Sequence, residues 1–221
     1  MSVFKIIQEY QEGFIKGIGV TFQLCLIIWL SGFFIGGLLG VLGSKYKLGI
    51  GIPSKILSFV LSGIPILVFL FWLHYPAQEL LQIQIDPFIT ASVTLSIVNI
   101  FAVADIVRNA MENLPNQYIE VAKVCGIPIT RRLWKIDIPL IFRHAISPFI
   151  IVQVNMLHMT LFASLISVDE IFRVTQRVNA IIYKPVEIYT ALGIFFLMIS
   201  LPLNGLALWL KNKYARDISE R

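Results

Sequence analysis

An all-α integral membrane protein with five spanning helices is the fold class this sequence predicts, and three observations predict it. Of the 221 residues, 57% are hydrophobic and only 14% are charged, and mean hydropathy is +0.80, whereas a soluble domain carries roughly a quarter charged residues. The apolar residues gather in continuous runs, and crossing a hydrocarbon core of about 30 Å takes about 20 helical residues. Those runs lack the alternation of a membrane β-barrel, so backbone groups inside the bilayer must be satisfied within helices. The length suits one such bundle as a single domain over 1–221, with no soluble domain beside it.

The elements follow in order. Residues Ser2 to Lys16 mix Gln8, Glu9, Gln11 and Glu12 with Phe4, Ile6, Ile7 and Phe14, the pattern of an amphipathic helix lying in the interface. Gly17 to Gly43 carries no charge and forms span 1. It is much longer than the apolar core of a secretory signal and no small-residue cleavage site closes it, so a retained helix is expected. Within it Gly32, Gly36, Gly37 and Gly40 favour close approach of another helix. Ile56 to Leu73 is span 2 and holds Gly63 and Pro65, of which Pro65 is expected to kink it. Phe88 to Ala104 is span 3. Ala145 to Val168, interrupted by single polar residues including His158, is span 4, and Ile188 to Leu210, with Pro202, is span 5.

Orientation follows from the cations. With five spans, Lys45, Lys47 and Lys55, then Arg108, Lys123, Arg131, Arg132, Lys135 and Arg143, then Lys211, Lys213, Arg216 and Arg221 fall on one side. The other side has Lys5, Lys16, Arg173, Arg177 and Lys184. The positive-inside rule therefore predicts the N-terminus outside, with the central stretch and the C-terminus in the cytoplasm. The net charge of +5 marks topology and contact with anionic membrane lipid, and no nucleic-acid partner is expected.

Catalytic and metal chemistry find no support. Cys25 lies in span 1 and Cys125 in the central stretch, with no Cys/His spacing of a metal site. His74, His144 and His158 are scattered, and each reads first as an interfacial or packing residue. There is no nucleophile with a partner, no phosphate loop and no catalytic carboxylate pair. Asp105, the sole acid at the end of span 3, suits a boundary residue paired with Arg108 three positions on.

The stretch from Asn116 to Ile141 stands apart from the apolar runs. Asn116-Gln117 offers a helix start, Tyr118 to Cys125 makes about two helical turns with Glu120 near the positive end of the dipole, and Gly126 stops it. Ile127-Pro128 turns the chain, Thr130 to Ile136 is short and basic, and Pro139 is expected to break the helix before span 4. Ile119, Ala122, Val124, Leu133 and Trp134 lie among the charges, hydrophobes that a bare solvated loop would not need. The pattern is that of a docking knob for a partner.

Here a resemblance becomes explicit. Glu120-Val121-Ala122, three residues, Gly126, nine residues and Ile136-Asp137-Ile138-Pro139 resembles the EAA loop of binding-protein-dependent ABC importers, E-A-A-x3-G-x9-I-x-L-P. The spacing is complete, with Val121 for the second Ala and Ile138 for the Leu. Gly17 to Lys45 is similar to the first helix of permeases for polar amino acid uptake, Ser62-Gly63-Ile64-Pro65 to their R-G-T-P, and Ala104-Asp105-Ile106-Val107-Arg108 to their A-E-I-V-R. Ser167 to Tyr189 looks most like the histidine and basic amino acid branch. Ser62, Val98 and Ala102 depart from the family's Arg and its frequent Asn and Tyr, so the resemblance alone assigns no standard substrate pocket.

The resemblance implies a type I ABC importer permease in the bacterial cytoplasmic (inner) membrane, forming half of an uptake pathway for a polar amino acid. It implies a cytoplasmic ABC ATPase dimer below, a second permease chain beside it, homologous or identical, and an extracytoplasmic solute-binding protein above. ATP and magnesium would be bound by the ATPase, with no cofactor in this chain. Glu120, Ala122, Gly126, Ile136, Ile138 and Pro139 would seat the loop on the ATPase. The same architecture importing an opine or another amino acid derivative, and a five-helix scaffold that transports nothing, are the alternatives. For the pathway, Asp169 and Glu170 at the outer end of span 4 either form an acid pair neutralised by Arg173 and Arg177 or receive a cationic group of the solute. Asn155, Thr160 and Ser164 along span 4 either bond to neighbouring helices or line the route.

Overall fold

A computed structural model describes residues 3–114 and 116–219, and every regular element among them is helical. The chain begins with α1 (Val3–Glu9) and α2 (Gln11–Lys45). The interfacial helix expected over Ser2 to Lys16 is divided, because the backbone turns at Tyr10 and Gln11 already opens the first spanning helix. The cause lies on the apolar side. Ile6 is buried against Val174, Val178 and Ile188, with Tyr10 and Phe14 packed on the same cluster, so protein covers much of the face that a bilayer interface would otherwise cover.

Span 2 is two helices, α3 (Lys47–Gly63) and α4 (Ile66–Leu81), bent 97° relative to each other. The kink expected at Pro65 is a full break. Pro65 has no N–H for the Leu61 carbonyl, and its ring drives the preceding residue out of the helical region. Ile64 is accordingly extended, at φ −96° and ψ 124°. Neither half is long enough to satisfy the span expected from Ile56 to Leu73 as one straight rod.

Span 3 is α5 (Pro87–Glu112), whose start Asp86 caps by accepting the Phe88 N–H at 2.8 Å. This helix is the centre of the bundle and packs against α2, α3, α4 and α7 (Thr130–Ile166). It also ties the two halves of span 2. Asp105 pairs with Arg108, as expected, and in addition accepts from Ser58 of α3, while Thr90 accepts from Gln78 of α4 at 3.1 Å. Against α2 the approach is backbone to backbone: a Cβ at Gly36 would stand 2.6 Å from the Ile100 carbonyl, and one at Gly40 2.6 Å from that of Ala104. Gly37, expected with them, faces open space. It lies about 100° round the helix from Gly36, off the stripe.

After α5 come α6 (Asn116–Val124), then α7, α8 (Ile171–Ile182) and α9 (Pro185–Ser219). The break expected at Pro139 does not occur, since α7 is continuous from Thr130 to Ile166. A widened turn at Leu133–Asp137 immediately precedes it, and the Ile138 N–H reaches back five residues to Leu133. The widened ring gives room where Pro139 would clash with an ordinary helical carbonyl. At its other end α7 tightens and stops at Ser167, φ 74°. Among the described residues four helices, α2, α5, α7 and α9, are long and apolar enough to cross a membrane, and α3 with α4 makes a fifth if the bent pair counts as one span.

Candidate coupling loop and translocation pathway

The central stretch folds as a short helix set on a long one. Ala122 is 1% exposed, while Glu120, Val121 and Val124 face outward. Gly126 ends α6 at φ +65°, and the Ile127 N–H bonds the Ala122 carbonyl at 3.0 Å. That six-to-one bond with a left-handed glycine is the closure of a Schellman motif. Arg132 N–H then bonds Pro128 O at 3.0 Å, and the first turns of α7 carry an Arg132–Asp137 ion pair at 3.1 Å. The widened turn brings those two residues, five apart, to the same side. Trp134 is 74% exposed, and Leu133 and Ile138 are also exposed, whereas Ile136 and Pro139 are half-buried. The side chains of Asn116, Tyr118, Ile119 and Lys123 lie outside the described residues, as do that of Arg216 and residue Arg221. The described surface is therefore amphipathic and rigidly joined to a spanning helix. It suits binding and carries no catalytic constellation.

Asp169 and Glu170 are adjacent in sequence and part company in space. Asp169 is exposed and pairs with Arg177 and, at 3.7 Å, with Arg173. Glu170 is fully buried and caps α8, its carboxylate accepting from the N–H groups of Phe172 and Arg173, both at 2.9 Å. Burial pushes the Glu170 carboxyl up to about 7, although those two hydrogen bonds pull the other way. Side chains of Thr160 and Ser164 do not reach neighbouring helices. Both are buried and turn back on their own helix, to Leu157 O and Leu161 O at 2.7 Å, because a hydroxyl near the end of a helix finds its nearest acceptor three residues back. Asn155 faces outward from α7.

A polar junction that sequence reasoning missed lies between the spans. Asn99 of α5 is fully buried; its Nδ2 donates to Ile28 O at 2.7 Å and to Gln153 Oε1 at 3.1 Å. Gln153 of α7 returns a bond to Asn99 Oδ1 at 3.3 Å, and its carbonyl accepts from Trp29 Nε1 at 3.1 Å. A Cβ at Gly32 would collide with the Asn99 amide. The available signal was Asn99 in one apolar run and Gln153 and Asn155 in another, a residue type that in lipid looks for a partner. A cavity of about 330 Å³ between α1, α2, α8 and α9 is a different matter. Its lining is almost wholly apolar, with Ile6, Phe14, Ile18, Leu192 and Phe195, and does not suit a polar solute.

The sequence of this helical bundle, with its amphipathic knob and buried amides between spans, matches a family profile. The profile of binding-protein-dependent transport system inner membrane components matches residues 32–216. The chain belongs to this family. It is thus a multi-pass inner membrane permease subunit, not an enzyme by itself, of a kind that works with an ATPase and a binding protein. Among relatives of the permease, the histidine/lysine/arginine/ornithine transport system permease protein HisQ of Salmonella typhimurium strain LT2 is 24% identical over 215 residues, 91% of this chain and 92% of that one. The octopine transport system permease protein OccM of Rhizobium radiobacter is 23% identical over 194 residues, 84% of this chain and 79% of that one. Among solved structures, that of an amino acid ABC transporter with histidines superposes with a TM-score of 0.80 at 19% identity, covering 96% of this chain and 99% of the other. The permease therefore has the type I importer fold.

Proposed function

We propose that the permease forms half of the translocation pathway of an ATP-driven importer for polar amino acids, and that the loop from Glu120 to Pro139 couples it to the ATPase. One observation carries this reading: an exposed, glycine-terminated helix opens the complete E-V-A-x3-G-x9-I-x-I-P spacing, and after a turn the second half of that spacing lies on α7, which runs from Thr130 to Ile166 as one helix. Closure of an ATPase dimer on ATP and magnesium would push on Glu120 and the exposed Val121 and Trp134. Continuity of α7 then carries the displacement into the membrane, biasing a two-state equilibrium between inward- and outward-facing forms.

In this reading the N-terminus is external, the C-terminus and coupling loop are cytoplasmic, and a second permease chain packs alongside. Asn155 supports that partner, since an outward-facing amide in a spanning helix is better met by water or another chain than by lipid. Asp169 is the exposed acid, but it would have to exchange Arg173 or Arg177 to receive a cationic group of the solute, and Glu170, Thr160 and Ser164 are buried. A solute-binding protein would deliver the solute from outside. The basic amino acid transporters among the relatives favour an amino acid, and the octopine permease favours an amino acid derivative as the second reading.

The test uses Gly126→Val and Glu120→Lys in the complex reconstituted with its ATPase and binding protein. A β-branched residue at φ +65° costs about 1 to 3 kcal/mol of strain, and Glu120→Lys reverses a charge on the docking helix. Both variants are expected to insert normally while uptake and solute-stimulated ATP hydrolysis fall, with Glu120→Lys also copurifying less ATPase. Wild-type transport by both variants would remove the loop as the coupling element. Competition between labelled arginine and octopine separates the two substrate readings.

A further inference from the structure

We propose that the Asn99–Gln153 amide pair, seated against Gly32, is the junction at which movement of the coupling loop passes from α7 to α5 and α2. This rests on the coupling role given to the loop above. The geometry supplies a continuous route. α7 runs from the loop to Ile166 as one helix, with a widened turn at Leu133–Asp137 and Pro148 inside it, so Gln153 is joined to Thr130 by continuous helix over about 35 Å at 1.5 Å per residue. Gln153 is the side chain by which α7 grips α5, through reciprocal bonds to Asn99. The main chain at Gln153 also holds α2, its backbone carbonyl accepting from Trp29 Nε1. Asn99 completes the triangle by donating to Ile28 O.

Two further features set this junction apart from an ordinary buried hydrogen bond. Gly32 is the residue whose missing side chain admits the Asn99 amide, and it opens a widened turn, Gly32–Gly36, in the middle of α2. Widened turns of this kind mark places where a helix departs from its regular register. A displacement of α7 is therefore delivered to α2 at the one stretch where its hydrogen-bond register is irregular. An apolar contact in the same place would transmit it poorly, because helices in lipid slide over one another without a directional bond to hold them in register.

Asn99→Leu combined with Gln153→Met keeps the bulk and removes both amides together, leaving no amide side chain unpaired between them. The reconstituted complex is assayed for ATP hydrolysis with and without solute-loaded binding protein, and for uptake. Basal hydrolysis and complex recovery are expected to stay within about twofold, while the solute-stimulated component and uptake fall about tenfold or more, a typical coupling factor between sites. An assembled double variant with wild-type stimulation overturns the junction. Gly32→Ala and Gly37→Ala answer the question should the double variant not assemble. The first drives a methyl into the Asn99 amide and the second meets nothing within 4 Å, so only Gly32→Ala is expected to lose stimulation, and equal behaviour of the two overturns the proposal. Failure of the wild-type complex to show solute-stimulated hydrolysis would instead count against the importer reading itself.

Discussion

Glu170 combines two roles that a sequence reading kept apart. As an N-cap its carboxylate satisfies two amide donors at the start of α8, a contribution of about 0.5 to 2 kcal/mol for caps in general. As a buried acid its pKa is raised from 4.5 to about 7. The folded state then holds a proton that the unfolded chain has released, so the contribution of Glu170 to stability is fullest below pH 4.5 and is lost as pH rises through about 7. Thermal unfolding of the purified complex should therefore show the wild type losing midpoint temperature between pH 5 and pH 7.5, while Glu170→Gln, which cannot ionise, loses less over the same range. Parallel pH profiles would mean that Glu170 does not contribute the pH dependence. Neighbouring Asp169 offers a contrast, being exposed and paired with two arginines.

At the scale of elements, glycine position and proline position decide the architecture. Gly36 and Gly40 let α2 lie directly on the backbone of α5, which is how spanning helices gain contact in a solvent as apolar as their own side chains. Gly40→Ala should be overpacked, because the obstacle is a main-chain carbonyl that cannot rotate away, at a cost of about 1 to 3 kcal/mol. Gly193→Ala, which meets nothing within 4 Å, should be neutral or slightly stabilising. Folded yield and thermal midpoint in detergent compare them, and equal values would show that the α2–α5 contact yields easily. The prolines behave differently from one another. Pro65 breaks span 2, whereas Pro139 follows a widened turn and α7 continues through it, as helices also continue through Pro148 and Pro202.

For the whole molecule, the cations predict which way round the bundle sits. Lys47 and Lys213 are exposed and Arg132 is half-buried in segments expected on one side, and Gln78 and Lys184 belong to segments expected on the other. In a Cys-less background, single cysteines at positions 47, 132 and 213 should resist a membrane-impermeant thiol reagent added outside cells, and those at 78 and 184 should react. Outside labelling at 132 would invert the topology and detach the loop from any cytoplasmic ATPase. The many exposed hydrophobes, such as Phe33, Phe34, Phe59 and Leu197, are what a bundle surrounded by lipid requires.

The amino-acid sequence by itself determined the membrane class, the order of the apolar elements, the knob and its glycine stop. Each of these depends on local composition or short spacing: an apolar run must be a helix in lipid whatever it packs against, and a left-handed stop favours glycine whatever follows. The Asp105–Arg108 pair was legible for the same reason, since residues three apart on a helix are neighbours. Only the tertiary structure decided that span 2 is two helices, that α7 runs unbroken through Pro139, that Ile6 belongs to a protein core and that Glu170 is a cap. It alone decided that Asn99 and Gln153 meet, 54 positions apart, because which amide finds which partner depends on how three helices cross, and no local spacing encodes that.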